Sequence, residues 1–195
     1  MRKLFLSIIL LTGVALQAQE VQFGAKAGLN IASINGGNLQ DLSSRTSFHF
    51  GGVAEIQITD KFSVQPEILY SAQGAKFKAS EGLIETNVTW KLDYLNIPVM
   101  AKYYLADDFS LEAGPQIGFL LSSKADVELN DASVEQDIND VVKSTDFGLN
   151  FGLGYKLDNG LNFGARYNLG LSNMLKESSE SSKNGVFQFS VGYNF

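Results

Sequence analysis

The chain carries one histidine and no cysteine in 195 residues. That narrows its chemistry at once. His49 follows Ser47 by two positions, and residues two apart share a face of a β-strand. A serine hydrolase needs such a base beside its hydroxyl and a carboxylate to orient the base. Ser47 and His49 are therefore the candidates for a lipid-modifying activity, the last of three functional readings. Without cysteine there is no disulfide framework, thiolate metal site or cysteine nucleophile. Residues 123–143 hold Asp126, Glu128, Asp131, Glu135, Asp137 and Asp140 against Lys124 and Lys143. Oxygen-rich loops of this kind suit calcium, but the spacing matches no EF-hand. The expectation is a solvated, mobile acidic loop, with no metal and no cofactor assigned.

A third set of charged residues acquires meaning from its position. Lys26, Glu55, Glu67, Lys102, Glu112, Lys156 and Arg166 all fall on the polar side of alternating segments. Residues 186–195 place Phe187, Phe189, Val191, Tyr193 and Phe195 on one face and Gln188, Ser190, Gly192 and Asn194 on the other. Residues 161–171, 147–157, 109–119, 62–72, 48–58 and 21–31 repeat this period of two, the signature of a strand with one apolar face. Residues 88–105 slip phase: Trp90, Leu92 and Tyr94 are apolar at even positions, Leu95, Ile97, Val99 and Ala101 at odd ones. One extra residue near Tyr94 and Leu95, a β-bulge, would account for the slip.

These segments make eight strands of roughly 10–14 residues, the length a tilted membrane strand needs. Soluble strands run about 5–6 residues. The polar face is rich in Gly and Asn, which suits a narrow interior better than a solvated surface. Three connections are tight (59–61, 106–108 and 158–160) and four are long and polar (35–44, 76–87, 123–143 and 173–185), in strict alternation. Pairing apolar with apolar across a tight turn requires an odd loop, which sets Lys102 opposite Glu112. The pattern predicts an all-β fold, an eight-stranded antiparallel up-and-down outer-membrane β-barrel, with both termini periplasmic and four extracellular loops. Phe48, Tyr70, Trp90, Phe119, Phe147 and Phe187 would form an outer aromatic girdle, and Phe62, Tyr103, Phe109, Tyr155, Phe163, Tyr193 and Phe195 an inner one.

The N-terminus fits this address. Arg2 and Lys3 precede an apolar run of about 13 residues, too short for a spanning helix, and Ala18 offers a small residue for cleavage. Residues 1–18 read as a signal peptide and 19–195 as the barrel domain. Loss of Arg2 and Lys3 leaves 13 basic against 21 acidic residues, a net charge of −8. That balance speaks against nucleic-acid binding.

Several strings resemble the PorT-like outer-membrane β-barrel proteins of Bacteroidetes-type bacteria. They are residues 23–30 (FGAKAGLN), 64–71 (VQPEILYS), 95–104 (LNIPVMAKYY) and the closing Tyr193-Asn194-Phe195. The resemblance spans the mature chain and implies the fold and the outer membrane. It implies no single activity, and a few members are tied to protein secretion. The terminal Phe195 resembles the signal read by barrel-assembly machinery.

An eight-stranded barrel is filled by its own side chains, and buried charges must be paired. Lys26, Glu55, Glu67, Lys102, Glu112 and Arg166, with Lys156, are therefore expected to form an interior ion network that plugs the lumen. The first functional reading is a non-enzymatic structural or binding protein. It would contact outer-membrane lipid, lipopolysaccharide, or an extracellular ligand or protein through its loops. The second is an accessory role in secretion.

Overall fold

A computed structural model describes residues 20–36, 42–81, 84–129, 132–176 and 182–195. The expected signal peptide lies outside these residues. Nine strands follow one another: β1 (Val21–Asn35), β2 (Ser43–Thr59), β3 (Phe62–Glu81), β4 (Ile84–Tyr104), β5 (Phe109–Leu129), β6 (Ala132–Asp137), β7 (Thr145–Lys156), β8 (Leu161–Gly170) and β9 (Lys183–Asn194). Eight close into an antiparallel ring in the order β1-β2-β3-β4-β5-β7-β8-β9, and β9 pairs back onto β1 from Gly24↔Asn194 to Asn35↔Lys183. Closure leaves the ring without an edge, the condition for a sheet to stand in hydrocarbon.

The period-two pattern produces an inverted interior. Phe23, Leu29, Phe50, Leu153, Phe189 and Val191 point outward and are exposed, while Asn30, Glu67, Asn150, Asn168 and Gln188 point inward and are buried. The turns hold the register. Leu105 donates to Phe109 O at 2.9 Å, and the pairing then runs Tyr104↔Ser110 and Lys102↔Glu112. Gly160 closes the β7–β8 turn at φ +87°, in the left-handed region that glycine enters freely, and donates to Leu157 O at 3.0 Å. The first turn is tighter than the three residues expected. Thr59 pairs with Phe62, and a register shift between Gln57 and Thr59 absorbs the odd residue.

Three expectations are corrected at the loop end. Residues 76–87 are not a loop for most of their length, because β3 and β4 stay paired from Lys76↔Thr89 out to Glu81↔Ile84. Residues 123–143 are not a loose acidic segment. β5 runs on to Leu129, and β6 folds back on it from Lys124↔Asp137 to Leu129↔Ala132. The four strands β3–β6 thus project as a sheet beyond the other strands. The bulge does lie near Tyr94, but on the facing strand: Asp93 pairs with Ser122 and Tyr94 with Leu120, so Leu121 of β5 is the extra residue. β4 itself runs without a slip against β3. Its even positions face inward throughout, and the apolar ones mark where the interior changes from polar to apolar.

That change builds an apolar cap across the loop-end mouth. Ile34, Ala75, Leu92, Tyr94, Val142 and Met174 form its buried core, with Leu42, Trp90, Leu120, Ile138 and Leu175 packed against it. Trp90 therefore leaves the expected outer girdle and meets Phe77 edge-on inside, at 5.6 Å between ring centroids. Phe48, Phe50 and Tyr70 do stand together on the outer wall. The cap is pinned by a bridge between Val142 and Leu175, by Lys143 N to Met174 O at 2.8 Å and by Lys176 N to Val141 O at 3.0 Å.

Two exposed apolar positions separate the embedded wall from the projection. Leu153 is 46% exposed on β7 and Val134 63% exposed on β6. Leu153→Arg is expected to cost about 2–4 kcal/mol in a lipid refolding assay if it stands near the bilayer midplane. Val134→Arg should stay within about 0.5 kcal/mol, as a solvated surface change does. Equal costs would contradict this division of the wall.

Candidate functional site

The lumen of the turn-end half holds Lys26, Glu55, Glu67, Lys102, Glu112, Lys156 and Arg166, contributed by seven strands. They form one alternating chain. Lys26 Nζ on β1 lies 2.9 Å from Glu67 Oε2 on β3. Arg166 on β8 reaches across to Glu67 with both terminal nitrogens, at 3.0 and 2.9 Å. The same guanidinium donates to Glu112 on β5 at 3.0 Å. Lys102 on β4 lies 3.7 Å from Glu112 and 3.3 Å from Glu55 on β2. Lys156 on β7 ends the chain, 3.6 Å from Glu55. Each carboxylate thus stands between two cations, the arrangement that offsets the several kcal/mol lost when an ion leaves water.

Neutral groups fill the remaining hydrogen-bond positions. Glu55 accepts from Ser63 Oγ at 2.7 Å, from Asn194 Nδ2 at 3.2 Å and from the Tyr104 hydroxyl. Glu67 accepts from Gln65 Nε2 at 2.7 Å, and Lys102 donates to Gln65 Oε1 at 3.2 Å. Gly154 makes room on the neighbouring strand β7, since a Cβ there would stand 2.7 Å from Glu112 Oε1. The ionic skeleton was legible from strand parity. The partners Ser63, Gln65, Tyr104 and Asn194 were not, because they look like ordinary polar positions until the barrel closes.

Sequence pairing had placed Lys102 and Glu112 directly opposite each other. They do face each other in register, but Arg166 is the nearer partner of Glu112. The guanidinium gives its planar fork to Glu67 and spares a single bond, from one terminal nitrogen, for Glu112, a division that an ammonium cannot match.

Further toward the loop end amides predominate, with the buried Asp146 accepting from Ser172 Oγ at 2.5 Å and Asn184 Nδ2 at 2.9 Å. His49 Nδ1 lies 2.8 Å from Asn30 Oδ1, and Gln188 Nε2 donates to the same oxygen at 3.0 Å. Asn30 Nδ2 donates to Ser71 Oγ at 3.0 Å and to Ala72 O at 2.7 Å. Asn168, Asn150 and Gln116 continue the amide tier. Ser47 and His49 are not brought together as a nucleophile and base. Ser47 Oγ donates to Ala72 O at 2.6 Å instead.

Two acids of the former loop are ion-paired on the outer face of the projecting sheet. Asp126 lies 2.8 Å from Lys91 and Glu135 lies 2.6 Å from Lys124. The hydrogen bond from Lys124 holds the Glu135 carboxyl below its ordinary pKa. Asp137 accepts from Asn139 N and Nδ2 at 2.9 and 3.0 Å. Among the described residues no three His, Asp or Glu side chains converge to hold a metal ion. Asp131 lies outside the described residues.

The closed ring, with apolar outside and charged inside, defines a membrane-spanning β-barrel. Residues 17–176 match the family described as the outer membrane protein beta-barrel domain, and the chain belongs to that family. Membership places it in the bacterial outer membrane. No curated protein matches the sequence. Among solved structures it is similar to Ail, the attachment invasion locus protein of Yersinia pestis. That likeness has a TM-score of 0.55 at 13% identity and covers 90% of this chain and 99% of Ail. The Neisserial surface protein A is similar at a TM-score of 0.54 and 13% identity, covering 90% of this chain and 99% of that one. At such identity the likeness is one of fold.

The chain of charges sets an order of sensitivity. Glu67 is 1% exposed and serves Lys26 and Arg166 together. Glu67→Gln should cost about 3–5 kcal/mol, because it strands two buried cations. Lys156 ends the chain with its side chain 25% exposed, and Lys156→Met should cost about 1 kcal/mol or less. Urea unfolding in detergent micelles, followed through the single Trp90, would rank them. The reverse order would mean that the charges do not share one network.

Proposed function

We infer that this protein is a non-enzymatic outer-membrane barrel whose lumen is plugged by side chains and whose work is done at its loop end by binding. The observation that carries this reading is the double filling of the interior. The alternating charges occupy one half and the apolar cap, with Met174 only 1% exposed, crosses the other. A barrel that offers no aqueous path acts through its surfaces. The elaborated surface is the projecting sheet of β3–β6 with the connections beside it. Its partners are an extracellular ligand or protein and the lipopolysaccharide around it. The tight turns, both termini and Phe195, as a contact for assembly machinery, belong to the periplasmic side.

Two experiments test this reading. Pure protein in planar bilayers should give no steady conductance, and stable porin-sized steps would replace binding with transport. On whole cells an impermeant thiol reagent should label Asp140→Cys and spare Asn159→Cys. Labelling of Asn159→Cys alone would invert the orientation.

The PorT-like strings favour a second reading, an accessory role in secretion across the outer membrane. It rests on residues 64–71 and 95–104. A deletion strain that secretes its cargo normally would remove it.

A further inference from the structure

The chain has three prolines, and all three stand at nearly one height in neighbouring strands of the wall. Pro66 of β3 lies in register with Val99 of β4, and Val99 lies at the level of Pro115 in β5. Pro98 of β4 is one residue away, opposite Gln116. Proline has no N–H to give a ladder, so it is all but absent from the middle of sheets. Here the ladder shows the loss. Between β2 and β3 the pairing passes from Val53↔Glu67 to Ile56↔Val64 and skips Ala54/Pro66 and Glu55/Gln65. Between β3 and β4 it passes from Pro66↔Val99 to Leu69↔Asn96. Between β4 and β5 it passes from Pro98↔Gln116 to Ala101↔Ala113. Three consecutive seams are thus interrupted in one belt. At the same height the β1–β2, β1–β9, β8–β9, β7–β8 and β5–β7 seams pair residue by residue.

The seven charges of the turn-end network divide along the same line. The three carboxylates, Glu55, Glu67 and Glu112, stand on β2, β3 and β5, the strands of the interrupted half. Three of the four cations, Lys26, Arg166 and Lys156, stand on β1, β8 and β7, the strands of the continuous half. Every ion pair that crosses the lumen therefore ties the half with missing backbone bonds to the half that has them. Lys102 on β4 is the exception and bonds only within the interrupted half.

We propose that β2–β5 form a laterally openable half-wall, weakened at its middle by the proline belt and latched shut from inside by Glu55, Glu67 and Glu112. The latch is electrostatic because the backbone there supplies fewer bonds. Opening occurs along the three interrupted seams, while β7, β8, β9 and β1 stay a rigid back wall.

Hydrogen–deuterium exchange of the full barrel in lipid nanodiscs tests this directly. In the wild-type protein, peptides covering 62–72 and 95–104 should exchange about tenfold faster than peptides covering 161–170 and 186–194, since local opening follows the loss of local bonds. Glu67→Gln should widen that ratio by a further factor of about ten by accelerating the first pair alone. Pro66→Val with Pro115→Val restores two donors and should narrow the ratio in either background. This double variant keeps the test alive if Glu67→Gln fails to fold. Equal exchange in both halves of the wild type would overturn the proposal. So would uniform acceleration by Glu67→Gln, or no added protection from the proline replacements.

Discussion

Glu67 is buried in the lumen, and its carboxylate holds a fork from Arg166 on one side and an ammonium from Lys26 on another. Removing an ion from water costs several kcal/mol, and only a partner with good geometry offsets that cost. The sharing of one carboxylate by Arg166 from the opposite wall and Lys26 from two strands away makes the seven charges a chain, not a set of separate pairs. It also fixes the distance between β3 and the β8–β1 wall. The glycine at 154 leaves space for the Glu112 end of that chain, and the amides of Gln65 and Asn194 fill the oxygen and nitrogen positions left over.

The two halves of the lumen solve one problem by different means. In the turn-end half the surrounding hydrocarbon forces the apolar residues outward, so the interior must be filled with what remains, and that is polar. In the loop-end half the strands β3–β6 run on past the others. The inner face can turn apolar there: Leu92 and Tyr94 lie inside with Met174 and Val142 folded onto them. The outer face correspondingly becomes charged, with Lys91, Lys124, Asp126 and Glu135 in contact. Inside and outside exchange character along a single strand, β4, and the extra residue Leu121 of the facing strand absorbs the change of register.

Strand parity determined most of the architecture from the sequence alone. Alternation of apolar and polar residues is a property of each strand by itself, because successive side chains point to opposite faces. It therefore placed the seven network charges on one face and gave two of the three odd tight turns and the pairing of Lys102 with Glu112. Only the closed structure decided which charges meet. Glu67 and Arg166 are 99 residues apart in sequence, and their contact exists because closure brings β3 and β8 to opposite sides of a narrow lumen. The same reason hid the apolar cap. Val142 and Met174 sit in polar connecting segments, and nothing local marks them as buried until the mouth they cover has formed. The extension of β3–β6 was hidden as well. Charged hairpins read as loops when the sequence shows no apolar face, and their strands persist here because each is paired by a neighbour already held in the barrel.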